Sequence, residues 1–261
     1  MSSSHALQEL VSYRSLLYNL IMKDLKVRYK NSALGFLWSL LNPLLMMAVY
    51  TVVFTKILPS TISHFEVYVL AGLLPWNWCA RSLPACATSL VDNSTVIGKV
   101  YFPRVLLPVA VVLAEAIHFL LALPSLFLLM LIFRLPLTPW IAYLPVLFFI
   151  QAMLLVGLGL FLAALNAILR DVGVILEAIL LAWFFLTPIF YDIRQAYPDA
   201  AGWVYRVNPM ASIVTQYHTI LVDHAAPSLL FDIRAGITAA VVFLFGYSFF
   251  MARNRTIGEY L

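Results

Sequence analysis

Charged residues are scarce in this chain, and their scarcity excludes an ordinary soluble domain. Asp, Glu, Lys and Arg make up 11% of the 261 residues, whereas soluble domains contain about 25%. Hydrophobic residues make up 63% and occur in runs of about 20, the length that a helix needs to cross a ~30 Å hydrocarbon core. The alternating strands of a membrane barrel would not produce such unbroken runs. The sequence therefore predicts an all-α membrane protein.

Cysteine is also scarce, which argues against a disulfide framework or a metal site. The two cysteines, Cys79 and Cys86, fall within one predicted helix and on roughly the same face. Metal ligation would need more converging ligands than this pair provides. We interpret both as small buried hydrophobic residues.

Catalytic and nucleotide-binding motifs are missing as well. The phosphate-binding pattern G-x-x-x-x-G-K-[ST] does not occur, because Gly98–Lys99 lacks the upstream glycine and is followed by Val100. Metalloprotease, serine-hydrolase and paired acidic motifs are likewise absent, and the five histidines are scattered. We expect no catalytic residue, metal or cofactor in this chain, which is predicted not to be an enzyme.

A basic amphipathic helix is predicted over residues 10–30, ahead of the first apolar run. Leu16, Leu17 and Leu20 lie on its apolar face, and the basic residues of its second half are Lys23, Lys26, Arg28 and Lys30. Such a helix lies in the headgroup layer of a membrane. The sequence leaves open whether it is only a lipid anchor or also contacts a partner protein.

Six apolar segments are predicted to span the membrane. The second contains Pro75, Arg81 and Pro84, and we expect it to be a broken helix whose freed backbone groups are satisfied by protein or a water-filled cavity. The predicted spans are 34–57, 65–90, 105–133, 140–165, 172–191 and 235–251.

The distribution of Lys and Arg orients these spans. With the N-terminus inside, ten of the sixteen basic residues fall in inner segments, five in outer segments, and Arg81 within a span. Positively charged residues favour cytoplasmic loops. Both termini, the polar loop 92–108 and the connection 169–172 are therefore expected in the cytoplasm. Segment 192–232 is expected outside, as short amphipathic helices that turn at Asn208–Pro209.

Three polar residues within the spans need a partner or a cavity, because ionisable groups at that depth are costly. Arg81 is expected either to line a transport pathway or to form a structural pair, with Glu115 as a candidate. Glu115 and His118 are three residues apart and share a helix face. A proton relay and a buried structural pair remain open for them.

Aromatic residues at span ends are typical of the membrane interface. A subset that faces inward could instead stack on the C–H faces of sugar rings. We select Tyr50, Phe54, Phe184 and Phe185 as candidate channel residues.

A set of motifs in order along the chain resembles a known family. These are LGFLWSLLNP, GLLPW, KVYFPRVLLP, N-x-x-x-R-D at Asn166–Arg170–Asp171, TPIFY, and Asn208–Pro209. Together they resemble the membrane subunit of type-2 ABC exporters for polysaccharides, which are the O-antigen, capsule and teichoic-acid transport permeases. The resemblance covers essentially the whole chain.

The resemblance implies a homodimer of six-span subunits with two copies of a separate ATPase, which would bind ATP and Mg²⁺. The cargo would be a lipid-linked glycan moved out of the cytoplasm through the inner (plasma) membrane of a bacterium; no nucleic-acid partner is expected. Residues implied to contact the ATPase are Lys99, Tyr101, Phe102, Pro103, Arg104, Arg170 and Asp171.

The implied organisation divides the chain into three parts. Residues 1–33 form the cytoplasmic interface helix, 34–251 the six-span domain, and 252–261 a cytoplasmic tail. Within the domain, 92–104 is the coupling loop and 192–232 corresponds to re-entrant helices at the outer mouth. A teichoic-acid or other polyol-phosphate exporter is the alternative cargo class. An ion-driven transporter is more remote, because no internal repeat is evident.

Overall fold

The structure is a computed structural model, and it describes residues 13–29, 35–54, 62–98, 102–196 and 198–260. Within these residues every regular element is a helix, which confirms the all-α prediction. Short 3-10 helices occur at Gly35–Leu37 and Pro139–Tyr143. In chain order the α-helices are α1 Arg14–Tyr29, α2 Trp38–Val52, α3 Phe65–Asp92, α4 Ser94–Ile97, α5 Leu106–Ile132, α6 Leu144–Ile168, α7 Val172–Leu186, α8 Ile193–Ala196, α9 Pro198–Val207, α10 Pro209–Leu221 and α11 Leu229–Tyr260.

Three of the described helical segments are long and apolar enough to cross a membrane. They are Leu106–Ile132, Pro139–Ile168 and Leu229–Asn254, while Leu40–Val52 and Val172–Leu186 are apolar but shorter. The chain is therefore a multi-pass membrane protein. The count of six spans and the sidedness of the termini stay predictions.

Helix α3 occupies the centre of the bundle, where it contacts α2, α5, α6, α7 and α10. The prediction that this span is broken is wrong, because α3 is one continuous helix through Pro75 and Pro84. Helix α6 supplies buried side-chain donors to the α3 backbone. Gln151 Nε2 donates to Pro75 O at 2.7 Å and Asn166 Nδ2 donates to Ala87 O at 2.9 Å. Neighbouring protein groups thus stabilise the helix backbone near its prolines.

Helices α6 and α11 approach closely where two glycines meet. A Cβ atom on Gly246 would collide with the carbonyl oxygen of Gly157, and one on Gly157 would lie 2.5 Å from the Phe243 Cα atom. Small residues permit this close backbone contact between membrane helices. Two residues further on, a Cβ on Gly159 would lie 2.8 Å from Cys86 Sγ of α3. Both cysteines are buried and free, as the sequence predicts.

The structure corrects two predicted boundaries. The fifth span was predicted to reach residue 191, but α7 ends at Leu186 because Thr187 adopts an extended conformation before Pro188. The described residues 252–260, predicted as a separate polar tail, instead continue α11.

Candidate functional site

The segments predicted to be cytoplasmic meet at one end of the bundle. Leu16, Leu17 and Leu20 of α1 pack there against a buried cluster formed by the ends of α3, α6 and α11 and the start of α5. The cluster includes Leu90, Phe102, Leu106, Leu160, Phe250 and Ile257. The N-terminal helix, the predicted coupling loop and the last turns of α11 thus form one surface of the protein.

The predicted coupling loop is fixed to the body of the protein. It contains the short helix α4, and Phe102 is only 7% exposed within the end cluster. Arg104 Nη1 donates to Asn254 O of α11 at 2.8 Å. Pro103 is half-buried between them, and Lys99 and Tyr101 lie outside the described residues. Phe102 and Arg104 therefore anchor the loop internally, and a force on the loop would reach α11 and α5 directly.

The second predicted coupling element lies between α6 and α7. The three residues of its motif, Asn166, Arg170 and Asp171, have two different roles. Asn166 is buried and bonds to the α3 backbone. Arg170 and Asp171 are both exposed in the turn that follows. Their charged groups are available to a partner, whereas Asn166 holds the turn in place.

Helix α1 exposes part of its basic face. Lys23 and Lys26 are exposed, and Lys23 Nζ donates to Asn93 Oδ1 at the end of α3 at 3.2 Å. The side chain of Arg28 and the whole of Lys30 lie outside the described part. This contact ties α1 to the residue that precedes α4, so α1 and the coupling loop are linked.

The polar residues of the second and third predicted spans line one small pocket. Arg81 and Asn77 of α3 face Glu115 and His118 of α5 across it, and Pro43 of α2 closes one side. Glu115 and His118 are buried. The structure thus brings together the three ionisable groups that sequence analysis selected.

A fourth ionisable residue, Asp24 of α1, joins this group. Oxygen and nitrogen atoms of Asp24, Glu115 and His118 all lie within 4.8 Å of one another. Divalent metals accept such donors, but Arg81 lines the same pocket, and its positive charge opposes a bound cation. Sequence analysis missed Asp24, although it is the single acidic residue of α1 and therefore stands out from its basic neighbours.

A larger cavity of about 250 Å³ follows towards the α1 end of the bundle, between α1, α3 and α5. On α3, the residues Asn77, Arg81, Ala85, Thr88 and Asp92 recur every three or four positions and so share one face. The first two line the pocket and the other three line the cavity.

The four predicted channel aromatics form one cluster at the other half of the molecule. Tyr50 of α2 and Phe54, two residues beyond its end, lie 4.7 Å and 5.3 Å from Phe190, measured between ring centroids. Phe184 lies 5.0 Å from Phe190 and 5.3 Å from Phe185. Phe190 thus connects the residues that the sequence selected, and Trp76 of α3 adds a further ring 5.6 Å from Phe184. Sequence analysis did not include these two aromatics among the candidate channel residues.

The turn at Asn208–Pro209 is confirmed, and Asn208 is the hydrogen-bonding centre of the segment predicted to be outside. Its Oδ1 accepts from Ala211 N at the start of α10 and from Trp183 Nε1 of α7 at 2.7 Å. Its Nδ2 donates to Leu186 O and Thr187 Oγ1. The TPIFY and Asn-Pro motifs therefore form one joint between α7 and α10.

Helix α10 is buried against the bundle. The His218 ring stacks on Tyr68 of α3 with centroids 3.7 Å apart, and His218 Nε2 lies 3.0 Å from Tyr68 O. Burial lowers the pKa of His218 to about 3, so the ring is neutral at pH 7 and Nε2–H donates. At the other side Gln216 Nε2 donates to Asp232 Oδ1 of α11 at 2.7 Å.

These arrangements offer binding surfaces for partners. Comparison with known proteins gives the family of the chain. A family described as ABC-2 type transporter matches residues 15–222. The O-antigen export system permease protein RfbA of Myxococcus xanthus is 34% identical over 257 residues, which cover 97% of each chain. A protein of the same name from Klebsiella pneumoniae is 31% identical over 209 residues, 80% of each chain. The chain is thus a transporter permease subunit and belongs to the ABC-2 type transporter family.

Proposed function

We propose that this chain forms the channel of an ATP-driven exporter that moves a lipid-linked polysaccharide of the O-antigen type across the inner membrane of a bacterium. The observation that carries the proposal is the similarity to O-antigen export permeases over nearly the whole length of both chains. Two copies of the chain would work with two copies of a separate ATPase, and ATP and Mg²⁺ would bind to that partner.

The surface formed by α1, α4 and the α6–α7 turn supports the ATPase contact. The exposed Arg170 and Asp171 would bind the partner, and the internally anchored loop at Phe102 and Arg104 would pass its displacement to α5 and α11. A short loop that is bonded to the bundle transmits movement better than a free one, because it cannot absorb the displacement.

The exposed face of α7 supports the homodimer. Val174, Ile175, Ile179, Leu181 and Leu186 are each more than half exposed, and α2 exposes Leu45 and Val49 beside it. Contacts between Tyr50 and Phe184 hold these two helices next to each other. A second copy that covers this apolar face would enclose a pore between the two subunits.

The aromatic cluster and the small pocket at Arg81 and Asn77 support a glycan pathway. Aromatic rings such as Phe184 and Phe185 pack against the C–H faces of sugars. The polar face of α3, with Arg81 and Asn77, supplies hydrogen-bond donors deeper in the bundle.

A co-purification with matched variants tests the proposal. The tagged chain, expressed from its native operon, is expected to purify as two copies with two copies of a nucleotide-binding subunit, and the complex should export radiolabelled glycan on ATP addition. The double variant Arg170→Ala, Asp171→Ala should keep ATPase activity but lose export at least about tenfold.

The control variant Asp199→Ala, Arg206→Ala removes one negative and one positive charge at two exposed positions of α9, and should export normally. A chain that purifies alone and moves solute on an ion gradient would overturn the ABC mechanism. A complex that exports polyol phosphates but not O-antigen glycan would overturn the cargo alone.

A further inference from the structure

The cavity between α1, α3 and α5 has two kinds of wall. Leu20 of α1 and Leu107 and Val111 of α5 form an apolar side, while Lys23, Asp92 and Thr88 form a polar side. Its volume of about 250 Å³ far exceeds the space of one water molecule. An occupant that matches both walls must be amphipathic.

The charges at the polar side favour a zwitterion. One ammonium group, of Lys23, and two carboxylates, of Asp24 and Asp92, line the cavity among the described side chains. Their formal sum is −1, from one positive and two negative groups, so an anionic headgroup would meet net repulsion. A headgroup with a phosphate and an amine could pair with both signs.

Hydrogen bonds within the protein leave particular groups available for this pairing. Ser89 Oγ donates to Cys86 O, and Asn93 Nδ2 donates to Ser89 O. Lys23 uses one of its three N–H donors on Asn93 Oδ1. The remaining donors of Lys23 and the Thr88 hydroxyl could therefore bind a phosphate, and the exposed Asp92 carboxylate could accept from an amine.

We propose that this cavity binds a phospholipid with a protonated primary amine in its headgroup, of the phosphatidylethanolamine type. Lys23 and Thr88 contact the phosphate, Asp92 and Asp24 accept hydrogen bonds from the ammonium, and an acyl chain lies along Leu20, Leu107 and Val111. The lipid fills the space between α1 and the bundle, and thereby holds α1 against α3 and α5. This inference does not depend on the proposed cargo.

The test uses the full chain in nanodiscs that contain equal amounts of phosphatidylethanolamine, phosphatidylcholine and phosphatidylglycerol with distinguishable masses. Native mass spectrometry after release should show ethanolamine lipid retained about tenfold over each of the others, because its ammonium donates charge-assisted hydrogen bonds that the choline and glycerol headgroups cannot supply. Equal retention of the three lipids, or preference for the glycerol lipid, would overturn the proposal.

Two further measurements identify the groups involved. Asp92→Asn should reduce the preference for ethanolamine over choline lipid to about threefold or less, whereas Asp199→Asn, an exposed acid on α9, should leave it unchanged. In the unmutated protein, successive N-methylation of the lipid amine should weaken retention step by step, because each methyl group removes a donor. The assignment is contradicted if retention does not change with methylation of the amine. It is also contradicted if Asp92→Asn keeps the full preference for the ethanolamine lipid.

Discussion

Helices α7 and α10 meet at Asn208, but they are buried in opposite ways. Helix α7 is almost entirely apolar, and of its residues only Val172, Leu176 and Leu180 are buried. Helix α10 contains Ser212, Gln216 and His218, and all three are buried. Hydrophobicity therefore does not predict burial here. In a membrane an apolar side chain is satisfied by lipid or by another subunit, whereas a polar one needs a protein partner.

The largest expected loss of stability follows from a substitution at a buried helix contact, where the backbones of α6 and α11 touch. Gly246→Val places a branched side chain against the Gly157 carbonyl and should cost about 3 kcal/mol in the free energy of unfolding. Thermal unfolding in detergent measures it. Gly236→Val on the same helix is the control, because nothing lies within 4 Å of a Cβ at that position. Equal loss in both variants would mean that α6 and α11 do not meet there.

The joint between α7 and α10 should contribute less to the free energy of unfolding than the contact at Gly246. Asn208→Ala removes the cap of α10 and the acceptor for Trp183 Nε1, at an expected cost of about 2 kcal/mol in the free energy of unfolding. Tryptophan fluorescence should report a changed environment for Trp183. Asp199→Ala, at the exposed start of α9, should stay within about 0.5 kcal/mol of the unmutated chain. If Asn208→Ala leaves the unfolding midpoint unchanged, the joint between α7 and α10 does not stabilise the protein.

A smaller, pH-dependent effect is expected beyond the end of α10. Burial, and then the nearby Asp192, raise the pKa of Asp223 above its usual value, against the opposing charges of Arg194 and His224. The folded state therefore binds this proton more tightly than the unfolded state. The resulting stability is fully present below the unfolded pKa and is lost as the pH rises through the folded pKa.

The Tm of the unmutated chain minus that of Asp223→Asn should therefore increase as the pH is lowered from neutral towards the ordinary carboxyl pKa. Solvent screening keeps the contribution below about 1 kcal/mol, since Asp223 is partly exposed. A Tm difference that stays flat over this range, or that falls on acidification, would show that the carboxyl pKa is not raised by folding.

A substitution on the exposed face of α7 should leave stability unchanged. It should instead show whether a second subunit covers that face. Ile179→Cys on α7 should alter the free energy of unfolding by less than about 0.5 kcal/mol, but should form a disulfide-linked dimer under mild oxidation in membranes. Leu244→Cys on α11 is equally apolar and exposed, and should stay monomeric because lipid covers it. Cross-linking of Leu244→Cys alone would place the subunit interface on α11.

Much of the helical framework could be predicted from local pattern. The third span was predicted over 105–133 and the helix covers Leu106–Ile132. The Asn208–Pro209 turn was also predicted correctly, because backbone restriction by proline acts within a few residues. The same local rule wrongly predicted a break at Pro75 and Pro84, where donors from α6 support a continuous helix.

The candidate site was less accessible to sequence analysis. Phe102 and Arg104 were assigned to the partner contact from a resemblance, but their internal contacts involve Phe250 and Asn254, which are distant in the chain. The sequence selected Tyr50, Phe54, Phe184 and Phe185 as channel candidates by residue type alone and did not predict that they cluster. Phe190 connects them because α7 ends early and the chain turns back at Thr187, which no periodicity indicates.

Composition and apolar run length were sufficient to establish that this chain is a helical membrane protein with two buried free cysteines, because hydrocarbon burial depends on local residue content. Which polar groups meet was decided only when the helices packed. Asp24 reaches Glu115 and His118, and His218 reaches Tyr68, across large separations in the chain. Such contacts arise from the packing angles and positions of whole helices, and these depend on every contact in the bundle at once.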